Sequence, residues 1–199
     1  MRSILTLLED AVQTDFGASE LVKVRAAASD RMRIAKRAEG LESRLLSFIE
    51  GLAVVRRRPP EEMYTFAGTR LVPLVFKEVA PVIRGLTSTR PMLLQITRVA
   101  PSVLELVLPG NQFPDFDCEM IDSDTLRVGF EGTHEQAWIF EGVAIGIANY
   151  FGERVQVKRA DSPAYNPRRL LVDVRVIPER RGSAGAPPGG VERRRLFGL

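Results

Sequence analysis

The sequence has one cysteine, Cys118, and one histidine, His134, in 199 residues. A single cysteine excludes an intrachain disulfide, and the two residues offer no Cys/His spacing typical of a zinc site. No apolar stretch approaches the roughly 20 residues that a membrane-spanning helix needs. The apolar run at the N-terminus stops at Glu9 and Asp10 with no small-residue cleavage site after it, unlike a secretory signal. We therefore expect a cytoplasmic protein without a membrane span.

Positive and negative residues also balance over most of the chain. There are 28 Lys and Arg against 25 Asp and Glu, a formal net charge of +3. Residues 179–199 contain five arginines and two glutamates, so residues 1–178 are formally neutral. A nucleic-acid interface needs cations clustered on one folded face, whereas the short basic run at residues 56–58 precedes two prolines and is predicted to be a loop. The sequence therefore predicts no nucleic-acid partner.

The sequence motifs of common enzymes are absent as well. There is no glycine-rich phosphate loop, no Gly-x-Ser-x-Gly turn and no calcium-loop spacing. Five acidic residues lie along a predicted strand and its turn, and we interpret them as a solvated, turn-forming face: Asp115, Asp117, Glu119, Asp122 and Asp124. The chain is therefore predicted not to be an enzyme, and no metal site is predicted from the acidic residues.

Apolar residues in the first half of the chain recur with a helical period. Helices are predicted over residues 4–16, where Gly17 stops the helix, and from a cap at Ser19 to residue 28. Further helices are predicted over residues 41–52, 61–79 and 90–107, with Pro73 and Pro101 as kinks or boundaries. The first half is therefore predicted to be a helical subdomain.

The second half of the chain alternates apolar and polar residues in short segments. Strands are predicted over residues 116–122, 125–131, 155–158 and 170–177, with a helix over residues 134–150 between the strand pairs. The whole is an α+β fold: an N-terminal helical subdomain followed by a mixed or antiparallel sheet with an inserted long helix. A Gly- and Pro-rich run at residues 182–190 predicts one domain, residues 1–178, followed by a disordered tail, residues 179–199.

One segment, Leu108-Pro109-Gly110 followed by Pro114 and Phe116, resembles the Tyr-Pro-Gly segment of the haem nitric oxide/oxygen-binding (H-NOX) sensor domains. Other segments follow in that family's order and spacing: Phe66-Ala67, Leu93-Leu94-Gln95, and the helix that contains Gly142 and Gly146. The resemblance covers roughly residues 1–177, the whole predicted domain. It implies the H-NOX fold and a pocket that holds haem as cofactor.

The resemblance also implies which residues line that pocket. Ile4 and Leu8 match its apolar distal side, and Leu94 lies on the helix that approaches the haem. Pro114 matches the family proline that presses on the porphyrin. These packing positions retain apolar residues.

The residue that holds the iron in this family is different in this chain. The family histidine stands eight residues before the proline of Tyr-Pro-Gly, which here is Pro101, with Ala100 and Ser102 on either side of it. None of the three carries an imidazole, and proline has no side-chain donor, so the proximal ligand of the iron is missing.

The family motif Tyr-x-Ser-x-Arg, which holds the haem propionates, is also replaced. Read along the strand, its places are taken by Phe130, Gly132 and His134. Read from the following helix, a one-residue deletion selects a different set: Gly129, Glu131 and Thr133. In either register the arginine is absent, and a neutral group does not replace its two-pronged hydrogen bonding to a carboxylate.

Four side chains in the predicted domain are conceivable substitutes as iron ligands. They are His134, Cys118 and the two tyrosines Tyr64 and Tyr150. A strand cysteine is more often a small buried apolar residue, and aromatic residues on apolar helix faces are usually core. Phe130 and Trp138 are compatible instead with a pocket that is filled by side chains.

The sequence therefore predicts a sensory or regulatory domain of the H-NOX fold with a degenerate iron site that signals to a protein partner. Its ligand is haem or another apolar small molecule. Two alternatives stay open. The chain is a true haem-binding gas sensor with unusual axial ligation, or it is a ligand-free adaptor whose function is protein contact.

Overall fold

A computed structural model describes residues 2–35, 40–81, 83–95, 103, 115–164, 166 and 168–177. Pro101, Pro114 and the tail predicted for residues 179–199 lie outside the described residues. The elements are, in chain order, α1 (Ile4–Phe16), α2 (Ala18–Ala35), α3 (Leu41–Arg56), α4 (Pro60–Glu78), α5 (Thr89–Leu94), β1 (Asp117–Met120), β2 (Thr125–Glu131), α6 (His134–Tyr150), β3 (Arg154–Ala160) and β4 (Arg169–Ile177). Helices followed by a sheet confirm the predicted α+β class.

Helices α1 and α2 meet at a single glycine. The side chain of Ser3 caps α1 by accepting a hydrogen bond from the amide of Thr6, and Gly17 ends the helix at φ 89°. The Gly17 carbonyl then accepts from the amide of Leu21, so α2 starts at once. The predicted cap at Ser19 is therefore wrong, because Ser19 already lies in the first turn of α2.

Helix α4 crosses the helical half of the molecule and packs against α1, α3 and α6. Pro60 stands at its first turn, where the missing amide hydrogen has no cost. The helix continues through Pro73 to Glu78 and does not end there, because buried apolar residues on both sides of the proline, Val72 and Val75, keep it packed. Among the described helices, none is long and apolar enough to cross a membrane.

Helix α5 is much shorter than the predicted helix over residues 90–107. It ends at Leu94 with Gln95 as its C-cap, and its first amide, on Thr89, donates to the carboxylate of Glu153 at 2.7 Å. The prediction of a helix that continues at least to Pro101 is wrong at Gln95, where the backbone leaves the helical conformation at φ −95° and ψ 4°. Of the residues further along this predicted helix, the structure describes Val103, which is helical and packs against the core.

The four strands form one antiparallel sheet in the order β1-β2-β4-β3, with α6 connecting β2 to β3. The antiparallel alternative of the prediction is therefore confirmed over the mixed one. Alternate residues of β2 face the core, and Val128 lies opposite Val172 of β4 with both side chains fully buried. On the other face Arg127 donates to Asp173 through two nitrogens at 2.7 and 2.9 Å.

Helices α4 and α6 approach each other backbone to backbone. A Cβ atom on Gly142 would lie 2.8 Å from the Thr65 carbonyl carbon and closer still to its oxygen, and one on Gly146 would lie 2.8 Å from the Thr69 carbonyl oxygen. Gly68 faces α6 in the same way from the other side. The Thr69 hydroxyl donates across the contact to the carbonyl of Gly142 at 3.1 Å. Glycine is therefore required here because no side chain fits between the helices.

We expect Gly142→Ala to lower the free energy of unfolding by about 1–3 kcal/mol, since the new methyl group meets backbone atoms that cannot rotate away. Equilibrium urea denaturation measures this difference. Gly40→Ala is the matched control, because a Cβ atom there meets nothing within 4 Å, and its effect should stay below about 1 kcal/mol. Equal effects of the two substitutions would contradict the close contact.

Candidate functional site

The two predicted distal positions, Ile4 and Leu8, stand one turn apart on α1 and lie on its buried face. Leu8 is fully buried and Ile4 nearly so, and both belong to the main apolar core. The structure therefore brings these two side chains together in an apolar wall of the helical half.

Phe130 lies on the core face of β2 and is only 1% exposed. Its ring centroid is 5.3 Å from that of Phe116 and 5.4 Å from that of Phe140 on α6, and the last two rings are 6.0 Å apart. These three tilted rings form one cluster beneath the sheet. A phenylalanine has no hydroxyl group, so Phe130 contributes packing and no hydrogen bond to an anionic group.

The turn between β2 and α6, where the propionate-binding motif is expected, is a helix cap. The Thr133 side chain accepts from the Gln136 amide at 3.4 Å, and the Gln136 side-chain oxygen accepts from the Thr133 amide at 2.9 Å. The Gln136 side-chain nitrogen donates to Glu42 of α3 at 3.0 Å. Gly132 leaves room for this arrangement, since a Cβ atom there would strike the Gln136 oxygen and the Phe130 ring. The polar groups of this turn are therefore used within the protein.

The alternative register of the motif is no better suited to bind an anion. Gly129 is buried, with the side chains of Asp117 and Arg169, which form an ion pair, against its backbone. The Glu131 carboxylate accepts a hydrogen bond from the Asn166 side chain at 2.6 Å. A carboxylate at this position repels the negative charge that the family motif attracts.

The four residues considered as substitute iron ligands lie in different surroundings. His134 is exposed on the first turn of α6, with its ring centroid 6.4 Å from that of Trp138. The Tyr64 hydroxyl donates to Glu50 at 3.0 Å, and Tyr150 is half exposed with its ring edge-on to Phe76. Among the described residues, no group of three or more His, Cys, Asp or Glu side chains is arranged to hold a metal ion.

Cys118 lies on β1 opposite the buried Val128, so its thiol is directed toward the core side of the sheet. Burial first, and then the neighbouring carboxylates Asp117 and Glu119, raise the pKa of the Cys118 thiol to about 11. The thiol therefore stays protonated at neutral pH, whereas the thiolate is the form that binds iron.

Leu94, predicted on the helix that approaches the haem, is 40% exposed at the end of α5, and its neighbour Leu93 is fully buried. Pro101 and Pro114 lie outside the described residues, so their positions in the site stay predictions. Ile4, Leu8 and Phe130 belong to the same apolar core, whereas Gly132 is partly exposed and His134 is exposed at the start of α6.

The acidic residues predicted to form a solvated face have structural roles. The Asp122 carboxylate accepts from the amides of Asp124 at 2.8 Å and Thr125 at 2.7 Å, which closes the turn between β1 and β2 and lowers the pKa of Asp122. Asp117 pairs with Arg169 across the sheet. These contacts agree with the interpretation as a turn-forming face.

Sequence reasoning missed a cleft of about 510 Å³ among helices α2, α3, α4 and α6. Its aromatic wall is formed by Tyr64 and Trp138, whose rings stack 5.9 Å apart, and the Arg159 guanidinium lies 4.8 Å above the Trp138 ring. No sequence period indicates this pairing, because the two aromatic residues belong to helices far apart in the chain. The cleft contains none of the positions predicted to line the ligand pocket.

Comparison with protein families finds a match to the haem-NO-binding family over residues 2–159. No curated protein matches the chain. Solved structures with the same fold include an H-NOX protein of S. oneidensis in the Fe(II) state, crystallised as a triple mutant. It is 15% identical, its TM-score is 0.73, and the match covers 91% of this chain and 98% of the other.

Two further solved structures have the same fold. The Fe(II) unliganded H-NOX protein of K. algicida has a TM-score of 0.68 at 11% identity, covering 90% of this chain and 98% of the other. A point mutant of the T. tengcongensis H-NOX protein has a TM-score of 0.65 at 10% identity, covering 86% and 94%. At these identities the likeness shows the fold.

We expect Cys118 to react with iodoacetamide at pH 7.5 roughly 100-fold more slowly than an ordinary cysteine, since its thiolate fraction is lower by that factor. The rate should rise with pH toward a midpoint near the pKa of about 11. Mass spectrometry of the alkylated protein against pH gives both quantities, with the urea-unfolded protein as the control. Rapid alkylation of the folded protein at pH 7.5 would show that the thiol is a reactive thiolate.

Proposed function

The chain belongs to the haem-NO-binding family, and we propose that it is a sensory or regulatory domain of this fold whose signal does not depend on histidine-ligated iron. The observation that carries the proposal is the closed turn between β2 and α6. Thr133 and Gln136 cap each other there, and Gln136 binds Glu42. That turn has no guanidinium, and its one hydroxyl, on Thr133, is held in the helix cap.

The described residues do not fit haem as a ligand-held cofactor. Each of the four candidate donors has an unfavourable environment. His134 is exposed and Tyr150 is half exposed against Phe76. The Cys118 thiol is protonated at neutral pH, and the Tyr64 hydroxyl is bonded to Glu50. The sequence adds that Pro101 stands where the family carries its proximal histidine. We therefore propose that the iron site is degenerate.

The ligand that we propose instead is an apolar small molecule. The packing positions of the pocket keep apolar side chains, with Ile4 and Leu8 on α1 and Phe130 on β2. Enclosure by such residues stabilises an apolar guest by about 25 cal/mol for each Å² of apolar surface removed from water. Specific polar groups are not required for that part of the affinity.

We propose that ligand binding changes the position of the helical half against the sheet-bearing half, and that a partner protein reads this change. The two walls of the site belong to different halves, since α1 carries Ile4 and Leu8 while β2 carries Phe130. A guest that fits between them favours one arrangement of the walls over another, and binding energy is what shifts such an equilibrium. This role is regulatory and not catalytic.

The Phe116–Phe130–Phe140 cluster favours one alternative, a ligand-free adaptor. Three rings within 6.0 Å of one another occupy the space beneath β2. If side chains also fill the rest of the pocket, the domain acts through protein contacts alone.

We expect titration of the purified protein with hemin to give no saturable Soret shift at one equivalent, either oxidised or reduced with dithionite, because the described residues supply neither an iron ligand nor a propionate clamp. Absorption spectroscopy measures this directly. A sharp shift that saturates at one equivalent would overturn the degenerate site. The variants His134→Ala and Cys118→Ser would then identify the ligand.

We expect Pro101→His to gain hemin binding that the unsubstituted protein lacks, because the imidazole returns to a pocket whose apolar walls remain. Pro101→Ala is the matched control and should show no gain. Thermal unfolding followed by circular dichroism establishes that both variants fold. A folded Pro101→His protein that still fails to bind hemin would contradict an open pocket and support the adaptor.

A further inference from the structure

Strand β3 forms an open edge of the sheet. Within the described part of the chain it hydrogen-bonds with β4 and with no other strand. It is seven residues long, with no proline and no glycine, and its exposed and partly buried residues alternate from Arg154 to Arg159. A strand of this length leaves a row of unpaired backbone amides and carbonyls, which is a template for another strand.

The solvent face next to this edge carries a basic strip, which we define as Arg154 and Lys158 of β3 and Arg175 of β4. Arg175 lies opposite Gln156, between the two β3 cations on the same face. All three side chains are exposed, and none has an ion-pair partner among the described residues. The strip is therefore a local excess of positive charge on a domain body that is formally neutral.

The acidic residues nearest to the strip are already engaged. Asp173, which lies opposite Lys158, holds Arg127 through both carboxylate oxygens. Asp122, which attracts Arg175 without forming an ion pair with it, is held by two backbone amides of its turn. Exposed cations that form no ion pair within the protein favour binding of a negatively charged partner.

The opposite face of β3 keeps the strand in place. Val155 and Val157 pack against the core, and Arg159 reaches Glu141 of α6 at 3.3 Å and lies above the Trp138 ring. Because these side chains anchor the strand to α6, its edge is presented as a preformed surface and little order has to be gained on binding.

From this edge and strip we infer that an acidic, extended segment of a protein partner binds beside β3 as a fifth strand. Its backbone pairs with the open edge, and carboxylates on alternate residues face the basic strip. The inference rests on the proposed function in one respect, that a signalling partner exists, and it specifies the chemistry of that partner. A second copy of the chain is a poorer occupant, because antiparallel pairing of two β3 strands would gather their lysines and arginines on one face.

The test is a titration of the ¹⁵N-labelled full chain with a capped peptide of alternating glutamate and valine, followed by amide chemical shifts. We expect saturable shifts centred on the amides of β3 that weaken as salt is raised. A capped peptide of alternating lysine and valine should produce none. An absence of shifts at β3 with the acidic peptide at millimolar concentration would overturn the inference.

A peptide of the same acidic sequence with every amide N-methylated separates strand addition from simple charge attraction. It keeps the carboxylates but cannot donate backbone hydrogen bonds, so we expect no binding. Equal binding of the two acidic peptides would overturn the fifth strand.

Paired substitutions of the protein complete the test. We expect Arg154→Glu together with Lys158→Glu to weaken binding of the acidic peptide by about tenfold or more. Arg44→Glu together with Arg84→Glu, at two exposed arginines outside the sheet, is the charge-matched control and should leave binding unchanged. Unchanged binding by the double variant would overturn the role of the strip. None of these measurements involves the ligand pocket, so failure here and failure of the proposed function are distinguishable.

Discussion

The close backbone contact between α4 and α6 is the constraint on which the rest of the structure depends. Gly68 on one helix, with Gly142 and Gly146 on the other, lets the backbones approach until carbonyl and amide groups nearly touch. Helix α4 also packs on α1 and α3, and α6 packs on the sheet. The helical half, with Ile4 and Leu8 on α1, and the sheet, with Phe130 on β2, are therefore held together mainly across this contact.

The candidate site combines intact packing with polar groups that are used elsewhere. Its apolar residues, Leu8 and Phe130 among them, are buried as the core of the domain requires. The turn at the start of α6 uses Thr133 and Gln136 as a cap, and the Tyr64 hydroxyl is committed to Glu50. An ionic cofactor needs polar groups that have no partner until it binds. An apolar guest makes no such demand, which is why the proposed ligand class follows from the geometry.

Local signals in the sequence predicted the elements that depend on local physics. Gly17 ends α1 through a positive φ angle, and β2 and α6 have the predicted bounds because their apolar periods are unbroken. The prediction of Ser19 as a helix cap was wrong because α2 begins directly after Gly17. Side-chain preferences for cap positions do not indicate such an immediate start. The replacement of the family histidine by Pro101 stays a prediction from the spacing of a family motif, because Pro101 lies outside the described residues. In contrast, the Tyr64–Trp138 stack and the basic strip join residues distant in sequence, and only the fold brings them together.

The glycine contact also bears on how this domain can change over generations. The two halves are joined by this backbone packing, by the Thr69 hydroxyl and by the hydrogen bond from Gln136 to Glu42, so contacts within the protein hold the architecture together. Substitutions at the iron position can then change what the domain binds while the fold stays intact. A single added methyl group at Gly142, in contrast, lowers the stability of the whole domain. The fold can therefore be kept in evolution while the bound ligand changes.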